Sequence, residues 1–433
     1  MLDIQLIRKN PDFVREKLAI RGVDVDFTDF LKKDKERREL IYATEKLKAE
    51  RNKSSAEIPE LKKEGKDISE ILERMREVGD QIKINDLRLA DLNQEQKSFI
   101  ADLPNLPADG VVSGGKENNE VIRIYGEKRN FDFQPKHHVD IVEHLGIIDY
   151  ARGAKLAGAG HWVYRGTGAL LEWALLNYFI QNHLSDNYEM ILPPHLLNYA
   201  CGYTAGQFPK FADDVFTFSD KDDTDTEHGF KRFLLPTSET ALVNLHRDEI
   251  LNQNELPLKY FSYTPCYRME AGSYRAEERG MIRGHQFNKV EIFQYALPEE
   301  SGDALDELIE KAELLVQGLG LHYRVSKLAA EDCSASMRET YDIEVWIPSM
   351  NDYKEVSSAS NAGDYQARRG NIRFRNEATG KNEFIHTLNA SGLATSRIFP
   401  AIIEQYQQED GSVLVPEVLH PFMNGISLIK PRK

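Results

Sequence analysis

Between Ile68 and Phe99, apolar side chains return every three or four residues. Ile68, Ile71, Met75, Val78, Ile82, Leu89, Leu92 and Phe99 fall on one stripe, and Asn85 and Gln96 fill its two polar positions. Such a stripe, sustained over several heptads, marks a long helix that packs along a partner. A leaner stripe precedes it at Leu40, Thr44, Leu47, Arg51, Ser54, Ile58 and Leu61. Between the two, "KKEGKD" supplies Gly65 where a helix stops and the chain turns back. The spacing predicts an antiparallel helical hairpin over residues 31–101, about 45–50 Å long at 1.5 Å per residue. By itself this pattern is that of a packing or dimerisation coil.

After Ala101 the texture changes. "DLPNLPADGVVSGGKENN" is rich in Pro, Gly and Asn and reads as a linker. Beyond it, strand-like runs (Glu189–Leu192, Arg232–Leu235, Tyr260–Tyr263, Glu344–Ile347, Asn371–Arg375) alternate with helical ones. The helix "GALLEWALLNYFIQNHL" is apolar almost all round, interrupted by Glu172, and should be covered on several sides. A subunit interface and a core position fit it equally. The acidic stretch "SDKDDTDTEHG" lacks the glycine and the bidentate glutamate of an EF-hand and reads as a solvated loop.

The formal charge of −15 disfavours a nucleic-acid partner until its distribution is considered. Residues 31–101 carry 17 Lys and Arg against 16 Asp and Glu, whereas the remainder carries 38 against 54. Any contact with RNA is therefore expected on local basic surfaces such as the hairpin, with Lys46, Lys48, Arg51, Lys53, Arg74 and Arg76 among the phosphate-contacting candidates. The N-terminus has no apolar run of signal-peptide length, and "ALLEWALLNYFI" is too short to span a bilayer. Three scattered cysteines, Cys201, Cys266 and Cys333, form neither a disulfide framework nor a zinc motif. These features point to a reduced, cytoplasmic setting away from membranes.

The candidate chemistry lies in four segments. "CYRMEAGSYRAEERGMIRGHQFNKVEIF" (266–293) concentrates charge in what should be a buried β-ribbon, with Arg268 and Glu270 two apart on one strand face. "LLPTSETALVNLH" precedes it; "YKEVSSASNAGDYQARRGNIRFR" and "TLNASGLATSRIFPAIIEQYQ" follow. In this order, and with the N-terminal hairpin, the segments resemble the class II aminoacyl-tRNA synthetases and within them the seryl-tRNA synthetase family. The resemblance runs the whole chain.

What the resemblance implies is an α+β fold: an N-terminal antiparallel helical hairpin that binds tRNA (1–108) and a class II catalytic domain, an antiparallel sheet flanked by helices (109–433). The implied reaction joins L-serine to ATP as seryl-adenylate and passes the seryl group to the 3′ end of tRNA(Ser), and of tRNA(Sec) where present. Such chemistry demands positioning and charge neutralisation more than covalent catalysis. By the match, Arg268 bridges the serine carboxylate and the α-phosphate as a planar fork. Phe287 stacks on adenine, Glu270 accepts from its amino group, and Arg397 covers its other face or reaches the terminal phosphate. Met269, Gly284, Val356 and Ser357 complete the ATP-binding set. Glu355 and Ser358 offer oxygens to Mg²⁺. Thr237, Ser238 and Glu239 match the positions around the serine amino group, and Glu291, Asn389 and Ser391 those around its hydroxyl. A homodimer is implied as well.

Several positions depart from the family pattern. "GSYRAEERG" has Tyr274 and Arg275 where a small residue and glycine are commoner, with Glu277 and Glu278 where Asp-Thr is; Ala205 and the segment around Ser334 lack common glycines. "NASG" places Ala390 beside the expected substrate position. These departures leave room for a specialised second copy linked to antibiotic resistance or biosynthesis. Two further alternatives are a ligase that charges a carrier protein and a retired synthetase acting as a binding or regulatory module. Relatives of the first lack the hairpin; the second tends to lose Arg268, Glu355 or Arg397, all present here. His137-His138 has no ligand-spaced partner in sequence and is expected to take an ordinary surface or packing role.

Overall fold

A computed structural model of the chain describes residues 1–218, 231–270 and 280–431. The acidic stretch and the loop holding Tyr274, Arg275, Glu277 and Glu278 lie outside the described residues. The chain divides into two compact units, one of residues 2–19 and 23–104, the other of Met1, residues 20–22 and the chain from Asn105 onward.

The first unit is dominated by helices α1 (Thr28–Lys63) and α2 (Ser69–Asp102). Ion pairs Lys33–Glu95, Arg88–Glu36, Lys48–Asp86 and Arg74–Glu50 bring early residues of one helix to late residues of the other, which makes the hairpin antiparallel. Gly65 has φ +71°, and the N–H groups of Gly65 and Lys66 bond back to Lys62 O and Leu61 O. That geometry ends α1 with a left-handed residue where glycine has no Cβ to clash. All ten positions of the second stripe are buried or half-buried, and in the first only Arg51 is exposed. The two polar positions of the second stripe have partners across the seam. Asn85 Nδ2 donates to Thr44 Oγ1 at 3.0 Å, and Gln96 Nε2 donates to the buried Asp34 carboxylate at 2.9 Å. Burial alone would raise the Asp34 pKa, but donation from Arg8, Gln96 and Arg38 holds it below the ordinary carboxylate range. Two cations expected to face RNA, Lys48 and Arg74, are engaged within the hairpin by Asp86 and Glu50; Arg51, Lys53 and Arg76 lie exposed.

The second unit is built on an eight-stranded sheet. Its strands are β1 (Glu120–Tyr125), β2 (Glu189–Met190), β3 (Leu258–Tyr267), β4 (Gln286–Ala296), β5 (Tyr323–Lys327), β6 (Glu339–Ile347), β7 (Asp352–Gly363) and β8 (His386–Ala394). In space they run β1-β5-β6-β7-β8-β4-β3-β2. All neighbours are antiparallel except the edge pair β2 and β3, which is parallel. The long connection between Met190 and Leu258 frees that pair from hairpin geometry. Helices α3 (Thr167–Ser185), α4 (Ser301–Gly318) and α5 (Thr395–Gln405) share the main core with Val290, Ile292, Ile343, Ala359 and Ala390 of the sheet. Helix α3 buries Leu171, Leu175, Leu176 and Phe179, yet leaves Trp173 54% and Leu184 47% exposed.

Two expectations change here. The Pro/Gly-rich segment is pinned rather than loose: Asn105 N donates to Ala335 O, its side chain to Ser336 O and Ala362 O, and Ala108 N to Arg338 O. Ala390 is fully buried among core residues, because neighbours alternate faces along β8 and its side chain turns away from Asn389 and Ser391. His138 does serve in packing, fully buried, with Nδ1 2.8 Å from Glu404 Oε1. His137, His138 and Glu404 are the one cluster of three metal-ligating groups among the described residues. The Glu404 carboxylate there already accepts from His138 N and from Ser349 N and Oγ, so the cluster reads as structural.

Candidate active site

Strand β4 organises the site. Phe287, Lys289 and Glu291 stand two apart and share one face. Phe287 and Lys289 line a pocket of about 530 Å³ together with Arg268, Glu270, Ile282, Arg283, Gly284, Glu355, Val356, Ser391, Ala394, Ser396 and Arg397. A second pocket adjoins it through Arg268, Glu270 and Arg283 and adds Gln207, Phe211 and Thr237. Gly284 has a steric reason: a Cβ there would lie 2.3 Å from the Trp162 ring.

The cations are placed by neighbouring backbone. Arg268 Nε donates to Pro236 O at 3.3 Å, and its guanidinium centre lies 5.2 Å from the centre of the Phe287 ring. Arg397, near the start of α5, donates from Nη1 to Glu355 O at 2.8 Å and lies 3.3 Å from Glu355 Oε2. Arg268 and Glu270 do not share a strand face as expected. Strand β3 ends at Tyr267, and Glu270 takes a left-handed conformation (φ 48°) that turns its carboxylate onto Arg283.

A β-bulge brings Glu355 and Ser358 together. Glu355 faces Glu344 and Ser357 faces Ile343, which leaves Val356 as an extra residue in β7. Three residues apart on a regular strand they would point to opposite faces; the bulge returns them to one. Ser358 pairs directly with Asp342 of β6. Burial, then repulsion from Glu355, pushes the Asp342 pKa well above the ordinary range, and its Oδ1 is buried with no hydrogen-bond partner. Burial would also raise Glu355, but Arg397, Arg268 and Lys289 outweigh it and hold the carboxylate below its ordinary value.

Beneath the pocket lies a buried polar cluster. Lys289 Nζ donates to Thr237 Oγ1 at 2.8 Å and forms an ion pair with Glu291. Asn389 Nδ2 donates to Glu291 Oε1 at 3.0 Å, and Ser391 stands opposite Glu291 across the β4–β8 pair. Glu239, pushed up to about 7 by burial and then by Glu291, accepts from Gln366 Nε2 at 2.7 Å. Thr237 also caps: its hydroxyl accepts from Glu239 N at 3.2 Å. Ser238 is fully buried; it, Met269, Ser357 and Ser358 line neither pocket, although Ser357 Oγ ties β7 to Ser391 O at 2.6 Å. Sequence inspection missed Lys289, Gln366 and Asp342. Lys289 was legible in the alternation Phe287-Lys289-Glu291; the other two enter only through strand pairing and packing.

Residues 216–406 match the tRNA synthetase class II core domain (G, H, P, S and T), and residues 1–107 match the seryl-tRNA synthetase N-terminal domain. A protein of Clostridium acetobutylicum named serine–tRNA ligase 2 is 59% identical over 98% of this chain and 99% of its own. The chain belongs to the seryl-tRNA synthetase family. A serine–tRNA ligase of Nitratidesulfovibrio vulgaris is 47% identical over 99% of this chain and all of its own. The solved structure of seryl-tRNA synthetase from Pyrococcus horikoshii complexed with ATP superposes with a TM-score of 0.90 at 34% identity, covering both chains fully. A seryl-tRNA synthetase fold thus surrounds the pockets described above.

Proposed function

We propose that this family member activates L-serine with ATP and transfers the seryl group to tRNA(Ser), with tRNA(Sec) as a further acceptor where it exists. The observation that carries the assignment of residues is the wall formed by β4. Its face runs from Phe287, in the pocket with Arg268 and Arg397, to Glu291, in the cluster with Asn389 and Ser391. A nucleotide at one end and a small hydroxyl-bearing amino acid at the other fit that wall.

In the first half-reaction a serine carboxylate oxygen attacks the α-phosphorus, the new O–P bond forms, and pyrophosphate leaves with the electrons of the broken bond. Arg268 holds carboxylate and α-phosphate together; adenine stacks on Phe287 and Arg397 takes charge on the nucleotide. Glu239 receives the serine ammonium, which favours its ionised form. Glu291, Asn389 and Ser391 surround the hydroxyl. In the second half-reaction a terminal ribose hydroxyl of tRNA attacks the acyl carbon and AMP leaves. Mg²⁺ fits Glu355 and Ser358, because the facing Asp342 has a buried oxygen without a hydrogen-bond partner and local negative charge in excess. When bound there it would neutralise phosphate charge.

The hairpin, with Arg51, Lys53 and Arg76 exposed, is the proposed tRNA-binding arm, and the change of role is placed between residues 108 and 109. Trp173 and Leu184, large apolar side chains left exposed on this helix, support a homodimer through α3. No helix among the described residues is long and apolar enough to cross a membrane, and the three cysteines are free and buried; both fit a cytoplasmic enzyme. The deciding experiment is aminoacylation of total tRNA with each of twenty amino acids, alongside serine-dependent exchange of labelled pyrophosphate into ATP. Charging with serine alone is expected; exchange with no charging would point to a carrier-protein ligase.

A further inference from the structure

Glu172 is a carboxylate in the middle of the most apolar helix of the chain, and it is buried. A leucine or methionine would suit α3 better by its surroundings, since burying a carboxylate carries a desolvation cost. Its oxygen Oε1 accepts two hydrogen bonds, from Thr395 Oγ1 at 2.6 Å and from Asn288 Nδ2 at 2.8 Å. Each donor adjoins the ATP pocket. Asn288 lies between Phe287 and Lys289 and, by strand alternation, points to the opposite side of the sheet. Thr395 opens α5, two residues before Arg397. Tyr263 completes the network by donating to Asn288 Oδ1 at 3.2 Å.

A second contact ties the same helix to the same strand. His183 Nε2 lies 3.3 Å from Gly392 O, and burial lowers the His183 pKa to about 4, so the neutral ring donates to that carbonyl. A Cβ on residue 392 would lie 2.4 Å from the ring nitrogen, so the backbone beside Ser391 rests directly on α3. Helix α3 thus grips β8 at Gly392 and the start of α5 at Thr395.

We propose that Glu172 is a positioning residue for ATP, holding the Phe287-bearing strand and the Arg397-bearing helix at a fixed separation from behind the sheet. The inference rests on assigning the Arg268–Phe287–Arg397 pocket to ATP. It goes beyond that assignment by giving a buried carboxylate outside the pocket control over one substrate. Displacing a positioned group by about 1 Å can cost on the order of a hundredfold in rate, and Glu172 sets two such groups at once.

The test compares Glu172→Gln, Glu172→Met and Thr395→Val in serine-dependent pyrophosphate exchange, with KM for ATP, KM for serine and kcat measured separately and thermal melting as the folding control. Glutamine keeps an acceptor oxygen and is expected to stay within about threefold of the parent. Methionine fills the space without an acceptor and should raise KM for ATP about tenfold or more, with KM for serine within about twofold. Thr395→Val should move the same parameter the same way, and it decides the matter if Glu172→Met does not fold. Unchanged KM for ATP in folded Glu172→Met or Thr395→Val overturns the proposal, as does a parallel rise of both KM values or a failure of glutamine to rescue. Arg397→Ala is measured alongside. If it leaves exchange untouched, the ATP assignment fails and the inference with it; if it cripples exchange while Glu172→Met does not, only the inference fails.

Discussion

Glu291 and Ser391 stand directly opposite one another on adjacent antiparallel strands. A pair so placed, with Asn389 donating to the carboxylate, is the proposed site for the serine hydroxyl and would leave polar groups unmatched when a substrate lacks that hydroxyl. Alanine should therefore be activated roughly 10⁴-fold less efficiently than serine, and threonine should be rejected more weakly. Pyrophosphate exchange with the three amino acids measures this directly. Comparable kcat/KM for alanine and serine would remove Glu291 and Ser391 from the serine site.

Arg268 is one of three residues that line both pockets, and it is the one proposed to hold carboxylate and α-phosphate together, so its loss should strike at adenylate formation itself. Arg268→Ala is expected to lower serine-dependent exchange by about a hundredfold or more. The far-ultraviolet spectrum and melting temperature should stay near those of the parent, because the side chain is tied to the fold by a long hydrogen bond to the Pro236 carbonyl. Near-normal exchange in the folded variant refutes its role.

With Glu239 raised to about 7, the proposed capture of the serine ammonium should be sensitive to acid. Below that value the carboxyl holds a proton that the serine ammonium must displace. kcat/KM for serine should then fall as pH drops from 7.5 to 5.5, approaching about tenfold per unit. Glu239→Gln should lose activity and the inflection together. A flat parent profile across that range contradicts the assignment.

Glu172 carries a stability signature of the opposite sense to an ordinary ion-paired carboxylate. Its pKa is raised by burial to about 7, against donation from Thr395 and Asn288. The facing titratable groups, Tyr164 and Tyr263, are themselves raised and stay neutral across the range considered. The folded state therefore binds the proton more tightly than the unfolded one, and stability falls as pH rises from about 4.5 to 7. Glu172→Gln removes that loss. Its advantage over the parent should be absent near pH 4, grow through pH 7 and level off above it, at up to roughly 3 kcal/mol. Chemical denaturation at pH 5 and pH 8 reads the difference; an advantage that shrinks with pH has the wrong sign.

The hairpin supplies none of the residues in the described pockets. Replacing Lys35–Phe99 with a short Gly/Ser linker should leave serine-dependent exchange within a few-fold while crippling tRNA charging through weaker binding. Charging by the intact chain should also weaken with salt, since released counterions drive phosphate contacts. Undiminished charging by the deleted protein would make the hairpin a packing device.

The hairpin was legible because its signals are local: the three-four spacing and Gly65 dictate helix, seam and turn without reference to the rest of the chain. The spacing does not tell what its two polar seam residues meet across the seam, and only the facing helix shows Asn85 meeting Thr44 and Gln96 meeting Asp34. The site was legible by motif and not by mechanism. Arg268, Phe287, Glu355 and Arg397 could be matched in sequence, but Arg397 bonding Glu355, Asp342 pairing with Ser358, and Gln366 steadying Glu239 all join residues far apart in the chain. Glu270 was misplaced for a related reason: a left-handed residue at a strand end leaves no mark in apolar spacing.

The extra residue at Val356 turns part of the site into a matter of parity. Adding one residue between Ser357 and Ser358 would keep every polar group near ATP and every partner strand, yet with the bulge absorbing only Val356, Glu355 would fall three ladder steps from Ser358, an odd number. One of the two would then look into the core and the other into the pocket. Alanine in place of Val356 preserves the count and should be borne far better. Along this strand the chain can vary what a residue is more freely than how many residues there are.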